Sequence, residues 1–151
     1  GDIQHYYLPG NGSSLIVQSG GFIACSPTVE IDTKFAGLAG FWGEGSLFMI
    51  RASGVGDIWF SAYGGILEIP LDYEYVVDTG YIVAFEDSLT YSVEVISGLS
   101  YRGLMTSIFG GEGLVCRFRG GRGKLWIQSR EIFNLLNFLN PFRPTSSSSS
   151  D

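Results

Sequence analysis

Asp78-Thr79-Gly80, preceded by Val76 and Val77, is the triplet in this chain whose spacing most resembles catalytic chemistry. Aspartic proteases place such a triplet on a turn so that two aspartates share one proton and activate water. The chain tests the idea internally. A similar stretch, Val17-Gln18-Ser19-Gly20, carries Gln18 where Asp78 would be, and an amide cannot titrate. A dyad would then need a second copy of the chain, and the plainer reading of Asp78 is a turn cap.

The other reactive residue types are sparse. His5 is the single histidine, so any Ser-His-Asp or Cys-His arrangement would route through it. No Gly-x-Ser-x-Gly elbow accompanies it. Zinc sites need more histidine or cysteine than the chain holds, and Glu30 with Asp32 reads as a solvated strand face. Cys25 and Cys116 lie in apolar strand-like runs and are expected as buried, reduced thiols. Gly110-Gly111-Glu112-Gly113 lacks the lysine of a phosphate loop. Phe118-Arg119-Gly120-Gly121-Arg122-Gly123-Lys124 looks like an RNA-binding arginine-glycine segment, but it occurs once, in an acidic protein. The residues therefore predict no enzyme, no cofactor, no metal and no nucleic-acid partner.

The elements that must position these residues are strands. Tyr91, Val93 and Val95 alternate with Thr90, Ser92 and Glu94; Leu114, Cys116 and Phe118 alternate with Val115, Arg117 and Arg119. Leu125 and Ile127 oppose Lys124, Trp126 and Gln128. Period-two alternation rich in β-branched and aromatic residues is the half-buried strand pattern. Further strands are predicted at 15–18, 22–25, 28–32, 47–52, 57–62, 66–69, 75–77 and 81–85. Glycine and proline punctuate the gaps, as many short antiparallel strands require. One helix is predicted over 131–139, where Ile132, Leu135, Leu136 and Leu139 share a face. Glu131 suits its first turn, Pro141 ends it, and packing on the sheet is the expected role of its apolar face. Residues 145–151 form a serine-rich tail expected to be flexible.

Composition narrows the classes further. With 151 residues the chain fits one domain. Aromatics at 15% and charged residues at only 16% exclude a disordered chain, and 22 glycines without a three-residue period exclude collagen. A net charge of −6 and a pI near 4.6 oppose attraction to nucleic acid or anionic lipid. No apolar run approaches the ~20 residues that span a bilayer, and no basic start with an apolar core marks a signal peptide. A chain opening on Gly1 is expected to be a processed or excised piece. Its compartment is expected to be cytoplasmic in a bacterium and organellar in a eukaryote.

The sequence is also internally duplicated. Val17-Gln18-Ser19-Gly20 matches Val77-Asp78-Thr79-Gly80, and Ala24 matches Ala84. Gly43-Glu44-Gly45 matches Gly111-Glu112-Gly113, and Gly54-x-Gly56-Asp57-Ile58-Trp59 matches Gly121-x-Gly123-Lys124-Leu125-Trp126. The matches keep their order at spacings of roughly 60 to 68 residues, as two copies of one β unit would. The expected copies are 12–72 and 73–131, in a single domain over 2–144. Each Gly-x-Gly is expected to turn a hairpin. Trp59 and Trp126 are expected on outer faces that a loop or partner must cover. The apolar loops carrying Phe41 and Trp42, and Leu104 and Phe109, occupy matching places ahead of Glu44 and Glu112 and are candidate subunit contacts.

These ordered motifs resemble the altered-inheritance-of-mitochondria-24 family. The resemblance rests on Gly21-Phe22-Ile23-Ala24, Val29-Glu30-Ile31-Asp32-Thr33-Lys34-Phe35, Ser61-Ala62-Tyr63-Gly64-Gly65, residues 77–85, Gly111-Glu112-Gly113-Leu114-Val115 and Leu125-Trp126-Ile127-Gln128-Ser129-Arg130. It implies a β-sandwich of the fold type of the tryptophan RNA-binding attenuator protein, assembled as a homotrimer. It also implies soluble bacterial members and mitochondrial eukaryotic ones that support inner-membrane organisation. Members usually carry a further β unit before the position of Asp2. The resemblance supplies no catalytic residue. The expectation is thus an all-β, duplicated antiparallel sandwich with one short C-terminal helix, acting as a non-catalytic oligomeric scaffold or interaction protein. An unidentified protein partner fits that role, while peripheral membrane contact is less favoured. The rival is a small-ligand binder or enzyme with a pocket between the repeats.

Overall fold

The alternating runs fold as antiparallel strands. The computed structural model describes residues 1–34, 48–95, 114–131, 135 and 138–142. Within them lie β1 (Ile3–Gln18), β2 (Phe22–Cys25), β3 (Val29–Asp32), β4 (Met49–Ser61) and β5 (Ile66–Leu71). There follow β6 (Tyr75–Asp78), β7 (Ile82–Glu86), β8 (Thr90–Val95), β9 (Leu114–Gly120) and β10 (Gly123–Gln128). Seven strands form one sheet in the order β2-β4-β1-β7-β10-β5, with β3 on β4, and β6-β9-β8 form a second. The chain is all-β, as period-two patterning dictates. Phe41, Trp42, Glu44, Leu104, Phe109 and Glu112 lie outside the described residues.

The predicted helix over 131–139 is only partly represented. Leu135, Phe138 and Leu139 are helical, a 3-10 turn follows at Asn140–Phe142, and no helix of seven or more residues occurs among the described residues. Of the predicted apolar face, Leu135 is half-buried and Leu139 is exposed, so the expected packing on the sheet is absent at Leu139; Phe138 and Phe142 are exposed as well.

Two apolar clusters form the core. One takes Ile16, Phe85 and Leu125 from the larger sheet and Val77, Cys116 and Phe118 from the smaller, so it lies between the sheets. The other gathers Leu8, Leu15, Val17, Val29, Ile50, Ala52, Ile58 and Phe60, with Val83, Ala84 and Trp126. The two long strands supply most of this second cluster. β1 shifts register between Pro9 and Ser14, and Gly54 and Gly56 of β4 take positive φ.

The Gly-x-Gly pairs do not turn hairpins. β4 runs straight through Gly54 and Gly56 as one strand. At Gly121 the chain instead breaks between β9 and β10, which pair with other strands and not with each other. The physical reason is the neighbour each glycine meets. A Cβ on Gly54 would stand 2.5 Å from the carbonyl oxygen of Thr28, and one on Gly121 would stand 2.5 Å from that of Ser88. Both residues have positive φ, at 110° and 94°. Glycine is needed here to let a neighbouring turn pack on the backbone.

Pairing registers recur along the chain. Ala24 lies opposite Trp59, and Ala84 opposite Trp126. Cys25 faces Ile58 as Phe85 faces Leu125, and Phe22 faces Phe60 as Ile82 faces Ile127, with a register shift inside each set. On the other side, His5 pairs with Trp59 and Tyr7 with Asp57, as Glu68 pairs with Trp126 and Pro70 with Lys124. The first half of β1 thus stands to β4 as β5 stands to β10. The matching registers lie within residues 3–61 and 66–128.

Candidate functional site

The two tryptophans share a register but differ in burial. Trp126 is 1% exposed. Its ring is met edge-on by Tyr6 and Phe60, at centroid distances of 5.4 and 5.7 Å, and its Nε1 donates to Glu68 at 3.0 Å. The earlier segment covers the later one's tryptophan. Trp59 is 37% exposed, with His5 against it at 5.4 Å. The expectation that both need covering therefore splits: Trp126 is covered within the chain, and Trp59 is not.

Trp59 belongs to an apolar sheet face. Residues directly opposite in antiparallel strands project to the same side. Ile3, His5 and Tyr7 of β1 stand opposite Ser61, Trp59 and Asp57 of β4, and Ala24 of β2 lies on Trp59's other flank. Ile3, Tyr7, Ile23, Val55 and Trp59 are all substantially exposed. His5, the single histidine, is spent on this face, bonding Asp57 at 2.7 Å. In the second segment Lys124 and Glu68 occupy the matching positions and pair at 2.8 Å.

A cleft of about 400 Å³ lies between β1 and the turn after β7, lined by Tyr6, Ser14, Glu86 and Asp87 among others. Most of its polar groups are engaged, the buried Ser13 Oγ being an exception. Tyr6 donates to Glu86 at 2.8 Å, Ser14 donates to Asp87 at 2.8 Å, and Arg51 reaches Asp87 at 2.8 Å. The Lys124 backbone N–H also donates to Glu86 at 3.0 Å. Burial first, then the Glu86 carboxylate, holds the Tyr6 phenol well above its ordinary pKa. These contacts rivet the earlier segment to the later one.

The remaining candidates have local roles. Asp78 accepts from the Gly80 N–H at 2.8 Å and caps the 3-10 turn Thr79–Tyr81. Arg119, on the arginine-rich run, and Arg117, just before it, both pair with Glu94, and Arg117 also pairs with Glu74. Hydrogen bonds from Arg117 and then Ser92 hold the Glu94 carboxyl below its ordinary pKa. Both thiols are free. Cys116 is fully buried, which pushes its pKa up to about 12, whereas Cys25, on the strand that ends the larger sheet among the described residues, is only half-buried. No group of three or more candidate metal ligands occurs among the described residues. Among them, too, no helix is long and apolar enough to cross a membrane.

The sequence places Trp59 on an outer face but shows no strand over residues 3–8, which supply Ile3, His5 and Tyr7 beside it. The available signal was Ile3-Gln4-His5-Tyr6-Tyr7-Leu8, whose alternation is hidden because large side chains occupy both sides.

Residues 1–130 match the family described as Mitochondrial biogenesis AIM24, and the chain belongs to that family. It is 31% identical over 134 residues to an uncharacterized protein of Streptococcus pyogenes serotype M6, a match covering 87% of this chain and 52% of that protein. A crystal structure of a protein from Streptococcus pyogenes matches with a TM-score of 0.73 at 25% identity, covering 94% of this chain and 60% of that one. The chain spans about half the length of the curated relative it matches.

Proposed function

We propose that this chain is a non-catalytic β scaffold that acts by self-association, built from two copies of one β unit and assembled as a homotrimer. The observation that carries the reading is the pair of register-matched tryptophans. One is sealed by a neighbouring segment, and the other lies open on a face with Ile3, Tyr7 and Val55. An apolar sheet face of this kind is what a protein contact buries. The family's description, mitochondrial biogenesis, is in keeping with an organising role.

Size-exclusion chromatography with light scattering tests this reading. The expected mass is a multiple of 16.4 kDa that falls to 16.4 kDa in Trp59→Asp. A 16.4 kDa species at high micromolar concentration would sink it. The cleft carrying Tyr6, Glu86 and Asp87 favours a second reading, small-ligand binding between the units. Stabilisation of the protein by a small polar metabolite, lost in Asp87→Asn, would support that alternative.

A further inference from the structure

Asn11-Gly12 is the single Asn-Gly step in the sequence; the other asparagines, at 134, 137 and 140, precede Leu135, Phe138 and Pro141. The step lies where β1 leaves its ladder. β1 pairs with β4 up to Pro9 opposite Val55, and again from Ser14 opposite Ser53. Residues 10–13 therefore stand against Gly54 alone, and pairing with β7 starts only at Leu15. Gly10 and Gly12 take positive φ, at 75° and 86°, which lets the strand bulge here. Asn11 and Gly12 are both exposed.

The asparagine side chain has a fixed place in this bulge. Its Oδ1 accepts from the Ser13 backbone N–H at 3.1 Å. That bond holds the carboxamide folded forward over the Asn11–Gly12 peptide, whose nitrogen is the nearby nucleophile. It also sets a donor on the oxygen that gains negative charge when Cγ is attacked. Gly12 brings no side chain to crowd the approach, and a Cβ built there would meet nothing within 4 Å.

We propose that Asn11 is a site of spontaneous modification, at which the Gly12 nitrogen closes on the side-chain amide and converts it to aspartate and isoaspartate. Base takes the Gly12 N–H proton, and the nitrogen bonds to Asn11 Cγ. The Cγ–Nδ2 bond breaks, and Nδ2 takes up a proton and leaves as ammonia. The product is a five-membered succinimide ring, which water reopens. Addition of water at Cγ gives aspartate. Addition at the main-chain carbonyl carbon gives isoaspartate, whose main chain runs through Cβ and Cγ. Nothing is oxidised or reduced. The bulge accommodates the extra main-chain atom because residues 10–13 carry no ladder register to disturb.

The change alters the cleft, which Asn11, Gly12 and Ser13 line together with Glu86 and Asp87. Either product sets a third carboxylate there, on a chain whose net charge is already −6, and like charges in one cleft repel. Self-association plays no part in this chemistry.

The test incubates the full chain at mildly alkaline pH, one portion folded and one unfolded in urea. Each is then digested, and the peptides are treated with a protein-isoaspartate methyltransferase and a labelled methyl donor. Label should appear in the folded chain at residue 11, with the mass gain of an NH₂ replaced by OH. Its rate should be no more than about tenfold below the rate in urea. Asn11→Gln, whose longer side chain would have to close a larger ring, should carry no label. Folded-state slowing beyond about tenfold overturns the proposal. So does label that persists in Asn11→Gln, or that appears in the folded wild type only at other residues.

Discussion

Replacing Gly54 or Gly121 by alanine should be among the costliest single-methyl changes in this protein. Positive φ at 110° and 94° costs a residue with a Cβ about 1–3 kcal/mol. The new methyl would also sit 2.5 Å from the carbonyl oxygen of Thr28 or Ser88. That partner is backbone and cannot rotate away, so the turn before β3 or β8 must shift, an overpacking cost of about 1–3 kcal/mol. Restricting the unfolded chain returns about 0.4–1 kcal/mol. The net loss is about 2–4 kcal/mol for each variant. In a domain of this size, each kcal/mol moves the midpoint by about 2–4 °C. Thermal unfolding followed by circular dichroism at one fixed concentration should show both midpoints falling by roughly 5–15 °C. Gly20→Ala, where a Cβ meets nothing within 4 Å, should stay near wild type. If either Gly54→Ala or Gly121→Ala matches Gly20→Ala, the reasoning about packed turns is wrong.

Trp126→Ala should cost about 3–5 kcal/mol by urea unfolding at a concentration low enough to dissociate the assembly. Trp59→Ala should cost only about 1–2 kcal/mol there, because part of its ring is open already; equal losses would contradict the burial difference. Raised phenol pKa values at Tyr6 and Tyr91, due first to burial, stabilise the fold fully below the unfolded tyrosine pKa, and this is lost as pH rises through the folded values. Stability should therefore fall between pH 9 and 11 more steeply in wild type than in Tyr6→Phe, and identical slopes would count against the buried phenol. A thiol reagent at neutral pH should modify Cys25 and spare Cys116, whose pKa of about 12 keeps it protonated. Mass spectrometry should find one label per folded chain, and a rapid second label would show that Cys116 is not sealed.

Much of the strand content was legible. The segments at 90–96, 114–119 and 124–128 read correctly because polar or charged residues alternate with apolar ones through most of each, and β8, β9 and β10 lie there. Residues 3–8 carry large side chains on both sides, since Tyr6 and Leu8 serve the core while Ile3, His5 and Tyr7 serve the open face. Alternation vanishes in such a strand, so the element that builds the candidate site was the one missed. Pro9-Gly10-Asn11-Gly12 looks like a turn, yet β1 continues through it with a register shift. Gly-x-Gly reads as a hairpin because local sequence shows the freedom of a glycine and not the Thr28 or Ser88 carbonyl that needs it. The matching Trp motifs were visible, but their unequal burial depends on which segment has a neighbour.

Sedimentation equilibrium of the purified chain, from low to high micromolar concentration, tests self-association most directly. The account predicts a reversible assembly converging on three times the 16.4 kDa chain mass. It also predicts that Trp59→Asp returns the 16.4 kDa monomer. A wild-type chain that stays at 16.4 kDa throughout would contradict the account.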